Sequence, residues 1–268
     1  AVSGASLYAG GWFTSAGGVS ANNVAKWDGS AWSAPGSGMN GDVMALAVSG
    51  DDLYVGGRFT TGGGVSATNV AKWDGSAWSA LGDGMDGEVR ALAVSGANLY
   101  AGGGFTTAGG VSANRIAKWN GSAWSALGDG MDGDVLALAA SGNDLYAGGS
   151  FANAGGASAY NVARWNGSAW SALGSGMDER VEAFAVSGSD LYAGGWFTTA
   201  GGVGANYVAK WDGSAWSALG SGMSDPVASL AVSDGDLYAG GYVGWMVRNV
   251  AKWDGSAWSV LDGGMDNN

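Results

Sequence analysis

Asn69-Val70-Ala71-Lys72-Trp73-Asp74-Gly75-Ser76-Ala77-Trp78-Ser79-Ala80-Leu81 is the stretch on which the reading of this 268-residue chain turns. Six versions of it occur, with first tryptophans Trp27, Trp73, Trp119, Trp165, Trp211 and Trp253. A second tryptophan follows each five residues later, at Trp32, Trp78, Trp124, Trp170, Trp216 and Trp258. Successive copies are 46 residues apart four times and then 42. A fixed period of this size makes each copy one supersecondary unit that buries its apolar surface only against its neighbours. The segment itself reads as a tight hairpin. Gly75-Ser76 supplies the two central turn residues, with glycine first as a type II′ turn requires. Trp73 and Trp78 then face each other across the two strands.

Working outward, the copy that follows shows what precedes the hairpin. Val89-Arg90-Ala91-Leu92-Ala93-Val94 is a short apolar run, and Ser95-Gly96-Ala97-Asn98 a turn cluster. Leu99-Tyr100-Ala101-Gly102-Gly103-Gly104-Phe105 is a second run, followed by a loop of small residues over 106–114. Arg115-Ile116-Ala117-Lys118-Trp119 and Ala123-Trp124-Ser125-Ala126-Leu127 complete the copy. Each run has strand length and is bounded by turn residues, and none has the period of a helix. The repeat therefore predicts four antiparallel strands, A to D. Strand A is apolar on both phases, with Leu46 and Val48 on one side and Ala45 and Ala47 on the other, as in a sheet covered on both faces. Four strands and a period near 45 residues predict propeller blades. The expectation is one domain over 1–268, an all-β six-bladed β-propeller. The last B–C loop is four residues short, and the first blade lacks the residues matching Val43 to Leu46. One chain closing on itself would place its seam between Asn268 and Ala1.

Leu-Tyr-x-Gly-Gly followed by Trp73-Asp74, then Trp78 and Met85, resembles the kelch repeat, and the resemblance covers all six copies. Trp stands where that repeat usually has Tyr, and the C–D hairpin is shorter. The resemblance implies a propeller that serves as a binding platform. Copper oxidase activity, known for this repeat type, depends on His ligands and a Cys–Tyr crosslink. This chain has no His and no Cys, so the resemblance brings no cofactor.

Composition narrows the function further. Without Cys or His the chain lacks thiolate chemistry, disulfides and the commonest general base. A net charge of −12 disfavours nucleic acid and anionic membrane surfaces. No apolar run reaches the roughly 18 residues of a membrane-spanning helix, and no signal peptide is visible. Collagen is excluded by 53 glycines without a three-residue period, and 47% hydrophobic residues with 15 tryptophans make disorder a poor reading. Oxygen ligands among Asp83, Asp86, Glu88, Asp129, Asp132 and Asp134 raise calcium, but solvated turn acids are commoner and no metal site is assigned.

Because the copies are so alike, the positions where they differ are informative. After Gly-Gly stand Trp12, Arg58, Gly104, Ser150, Trp196 and Tyr242. After the first Val of strand A stand Met44, Arg90, Leu136, Glu182 and Ala228. Arg115, Tyr160 and Tyr207 vary before strand C, and Asp178-Glu179-Arg180 varies in a D–A loop. In an up-and-down blade these places share the B–C/D–A end. Of 11 basic residues, six sit at the repeated strand-C position and the other five, Arg58, Arg90, Arg115, Arg180 and Arg248, fall at this end. Arg, Trp and Tyr are the residues of binding hot spots. The candidate ligand-binding residues are Trp12, Arg58, Arg90, Arg115, Arg180, Trp196, Tyr242 and Trp245, for a carbohydrate or a peptide or protein ligand. The repeated tryptophan pairs are expected to pack between blades rather than to serve as sugar platforms. A scaffold with no small ligand is the alternative, and a hydrolase using Glu182 a third reading. An extracellular or cell-surface setting suits the first two.

Overall fold

The computed structural model describes residues 1–241 and 250–261. All regular structure in them is strand, and the fold is a six-bladed β-propeller of four-stranded antiparallel blades. The chain divides into two compact units, Ala1–Gly130 and Met131–Asn268, each carrying three blades. The short sixth B–C loop, with Tyr242 and Trp245, and the far side of the expected seam lie outside the described residues.

Blade 2 shows the pattern. Strand A is Asp42–Ser49, B is Asp52–Arg58, C is Val70–Trp73 and D is Trp78–Ala80, hydrogen-bonded in that order. Blade 1 begins with a strand A of only Val2–Ser3, as the missing residues predict. The loop between B and C is more structured than expected. In five blades it holds a two-stranded ribbon, Thr61–Gly62 against Val65–Ser66 in blade 2. The sequence signal for it is faint, because each ribbon strand is only two residues long.

Two devices join a blade to the one before it. Trp78 is buried, and its indole Nε1 donates to the Pro35 carbonyl of blade 1 at 2.8 Å. Trp124 does the same to Leu81, Trp216 to Leu173 and Trp258 to Leu219. The Trp73 and Trp78 rings lie 5.3 Å apart at 49°. Trp78 belongs to a core containing Tyr8 and Val24 of blade 1 and Leu53, Val55 and Phe59 of blade 2. The tryptophan pairs are thus packing elements, and buried indoles satisfy their one donor, as they must. The second device is the glycine doublet. A Cβ on Gly57 would sit 2.0 Å from the Asp42 carbonyl oxygen, and one on Gly56 would sit 2.5 Å from Val89 Cγ1 in blade 3. One glycine admits the blade's own strand A and the other admits the neighbouring blade.

The C–D turn matches the expected hairpin and adds a clasp. Gly75 has φ +95° and Asp74 N–H donates to Ala77 O. Asp74 Oδ1 then accepts from Ser76 N, Ser76 Oγ and Ala77 N, each at 2.8 Å. These donors hold the Asp74 carboxyl down at about 2. Asp28, Asp212 and Asp254 are held the same way, and Asn120 and Asn166 make the neutral version.

Candidate ligand-binding site

The variable positions of the B–C/D–A end are brought together within each blade by two backbone irregularities. The first is a β-bulge at the start of strand A. Its register skips Met44 between Val43 and Ala45, Arg90 between Val89 and Ala91, Leu136, Glu182 and Ala228. The residue after the first Val varies because it is the unpaired residue of a bulge, a device that re-aims a side chain. The second irregularity precedes strand C. Asn23, Asn69, Arg115, Asn161 and Tyr207 all have φ between 63° and 65°. This left-handed region suits Asn and is costly for longer side chains. Asn69 also ties loops together, accepting at Oδ1 from Phe59 N at 3.2 Å and donating from Nδ2 to Met85 O at 3.0 Å.

In the first unit, Arg58 from the end of strand B in blade 2 meets Glu88 at the start of blade 3. Arg90, the bulge residue of blade 3, pairs with the same carboxylate. Burial opposes ionisation of Glu88, but the two guanidiniums outweigh it and hold the carboxyl below its ordinary value. Arg115 donates from Nη1 to the Gly104 carbonyl, and Gly104 N–H donates to Glu88 O at 3.0 Å. Two of the expected residues, Arg58 and Arg90, therefore meet on Glu88, and Arg115 is joined to the same strand start only through the Gly104 backbone. Trp12 lies in blade 1 with 88% of its surface exposed.

In the second unit, Arg180 donates from Nε to Glu182 at 2.8 Å and stacks on Trp196, 4.4 Å from the ring centroid. Tyr207 joins them through the backbone, since Gly195 N–H donates to Tyr207 O and Trp196 N–H to Arg180 O. The carboxylate of Glu182, the residue considered for hydrolysis, is committed to Arg180. A cleft of about 290 Å³ opens beside Tyr160 and Asp178. It is at the lower limit for a small-molecule site.

Asp86, Asp132 and Asp178 of the D–A loops have structural partners. Asp86 Oδ1 accepts from Thr106 N and Thr107 N, and its Oδ2 from Thr106 Oγ1. Asp132 and Asp178 brace the next B–C loop in the same way, and Asn40 does so in blade 2. Burial opposes ionisation of Asp86, Asp132 and Asp178, yet these donors keep all three below the usual carboxylate range. Among the described residues no group of three acidic side chains is arranged to hold a metal ion. Four of the six repeated cations of strand C are also engaged: Lys72 with Asp52, Arg164 with Asp144, Lys210 with Asp190 and Lys252 with Asp236.

Nothing in the sequence marks Glu88 as the partner of two arginines, and the backbone strain at Arg115 and Tyr207 is marked only faintly. A signal for the second existed in the repeat, where Asn stands at this position in the other copies.

The family model described as the Rax2 C-terminal beta propeller domain matches residues 80–235. The chain belongs to this family. No curated relative matches the sequence. Among solved structures, the chain is similar to the WD40 beta propeller domain of Doa1, with a TM-score of 0.62 and 14% identity over 89% of this chain and 75% of that one. A chain of the Mitotic Checkpoint Complex gives a TM-score of 0.60 and 18% identity over 89% and 70%. The computationally designed Ika8 protein gives 0.56 and 19%, over 82% of this chain and 60% of the designed chain's length. At these identities the likenesses show the propeller fold alone. The Rax2 C-terminal propeller domain match supports a propeller repeat without distinguishing the kelch type.

Proposed function

We propose that this propeller is a non-enzymatic interaction module that takes a peptide or protein segment at the B–C/D–A end of its blades. The observation that carries the reading is that each unit sets hot-spot residue types at the end of its blades where the copies differ: Arg58 and Arg90 on Glu88 and an exposed Trp12 in the first, Arg180 on Trp196 in the second. Arginine and tryptophan are enriched among the few residues that dominate binding energy at interfaces, and loops on a rigid scaffold are where binding residues concentrate. Three further points support it. A kelch-like repeat implies a binding platform. The Mitotic Checkpoint Complex is by its name an assembly, and a chain of it shares this fold. A carbohydrate is the weaker choice of ligand, because the repeated tryptophans that would make sugar platforms are spent on packing between blades.

The near-identity of the copies favours the second reading, a spacer with no ligand, since repetition alone maintains a scaffold. A peptide array separates the two. The wild-type chain is probed beside Arg90→Ala and Trp196→Ala. A defined hit lost in either variant supports the module. A blank from a chain with a cooperative thermal transition supports the spacer, and unchanged hits in both variants reject these residues as the site.

A further inference from the structure

We infer that the cleft between blades 1 and 2 at the A–B/C–D end binds a small zwitterion, an amino acid or short peptide with a free ammonium and a free carboxylate. The site lies at the opposite end of the blades from the interaction surface proposed above and does not depend on that reading.

The cleft has a volume of about 470 Å³, within the range of small-molecule sites. Blade 1 lines it with Ser3, Ser6, Tyr8 and Lys26, and blade 2 with Asp51, Asp74 and Gly75. The C–D turns at this end repeat, but the residue before the Leu-Tyr of strand B does not. In blade 2 it is Asp52, which pairs with the strand-C cation Lys72 at 2.6 Å. Asp144, Asp190 and Asp236 hold Arg164, Lys210 and Lys252 in the same way. In blade 1 the residue is Ser6. Lys26 therefore has no carboxylate paired with it among the described residues. Its ammonium lies 5.7 Å from the centroid of the Tyr8 ring, which attracts a cation without neutralising it. Serine in place of aspartate shortens the side chain and frees the cation in one step.

The blade 2 side of the cleft is acidic. Asp51, in the A–B turn, stands where other blades have Ala5, Ala97, Asn143, Ser189 or Gly235. Its side chain makes no ion pair or hydrogen bond among the described residues. Asp74 spends Oδ1 on its own turn, which leaves Oδ2 available. The two departures from the repeat thus face one cleft with a cation from blade 1 and an anion from blade 2, and the two do not pair with each other. A simple anion drawn to Lys26 would meet two carboxylates and a net charge of −12. A simple cation drawn to Asp51 would meet Lys26. A molecule carrying both charges suits both sides, and the Ser6 hydroxyl can donate to its carboxylate.

The test follows the backbone amide shifts of Ser6, Lys26, Asp51 and Gly75 by NMR on the full chain. Glycine, glycylglycine and triglycine are added in turn, as zwitterions of increasing span. Saturable shifts at these residues are expected from at least one of them. Its N-acetyl form lacks the ammonium and its C-terminal amide lacks the carboxylate. Each should bind about five-fold more weakly, the scale of one exposed ion pair. Ser6→Asp restores the pairing of blade 2, so it should keep or raise the melting temperature and lose about five-fold in affinity. Ser6→Asn, which copies Asn98 of blade 3, adds similar bulk without charge and should bind more tightly than Ser6→Asp. Asp51→Ala should bind the zwitterion no better than the wild-type chain binds the N-acetyl form. The inference is overturned by the absence of saturable shifts from all three zwitterions, by equal affinity for capped and uncapped forms, or by unchanged affinity in Ser6→Asp. None of these results bears on the peptide array, which reads the other end of the blades.

Discussion

The two ends of a blade solve the same problem differently. At the A–B/C–D end every blade uses the same few residues. Asp74-Gly75-Ser76-Ala77 closes on itself through a single carboxylate oxygen, and the next blade repeats the clasp with Asn120. Nothing in such a turn depends on the neighbouring blade, so repetition of sequence gives repetition of structure. At the B–C/D–A end the loops depend on each other. Asp86 closes a loop by bonding Thr106 and Thr107, and Asn69 reaches Met85. Around these shared braces the bulge residue, the residue after Gly-Gly and the left-handed residue are free to differ, and they do. The comparison teaches that a repeat fold can hold its shape with fixed short-range contacts at one end while offering variable side chains at the other.

The largest effect expected from breaking this arrangement is in the tryptophan contact repeated from blade to blade. Trp78→Ala removes a buried ring from the junction of blades 1 and 2 and leaves the Pro35 carbonyl without its donor. A loss of about 3–5 kcal/mol is expected, read by denaturant unfolding. Next comes the acid limb of stability. The clasp carboxylates Asp28, Asp74, Asp212 and Asp254 sit at about 2 in the folded chain against an ordinary 3.8. Lowered folded values mean that the unfolded chain takes up protons first. Their stabilisation is full above 3.8 and is lost as pH falls toward 2. Replacing all four by Asn, as at Asn120 and Asn166, should flatten the drop in melting temperature across that window. A drop of unchanged steepness would assign the acid limb to other carboxylates, such as Asp86 or Glu88.

A smaller effect of opposite sign sharpens the comparison at the variable end. Tyr207 has φ +64° where Asn161 and Asn69 stand in other blades. Tyr207→Asn should raise stability by about 1 kcal/mol, by relieving the left-handed strain and restoring the acceptor for Phe197 N–H. An unchanged or lowered melting temperature would show that packing of the Tyr207 ring outweighs the backbone cost. The smallest effect is expected at Trp12, which is 88% exposed. Trp12→Ala should change stability by less than about 0.5 kcal/mol, while removing any hit on a peptide array that uses this blade.

How far the sequence could be read follows from the range of the contacts involved. The four strands, the hairpin between Trp73 and Trp78 and the need for Gly56-Gly57 were legible, because alternation, turn chemistry and close approach are written in neighbouring residues. The grouping of variable residues at one end was legible too, because the up-and-down order of strands fixes which loops share an end. The ribbon at Thr61–Gly62 was not, since two-residue strands carry no period.

By itself, then, the sequence determined the repeat, its strands and the identity of the residues that differ between blades. Only the tertiary structure decided what those residues do. Arg58 and Glu88 are 30 positions apart and meet because blade 3 packs on blade 2. Arg90 reaches the same carboxylate because a bulge turns it out of register, and Arg115 is costly only because the backbone there is left-handed. The physical reason is that each depends on a backbone conformation or a neighbour set by packing of one blade against the next, which no single repeat encodes.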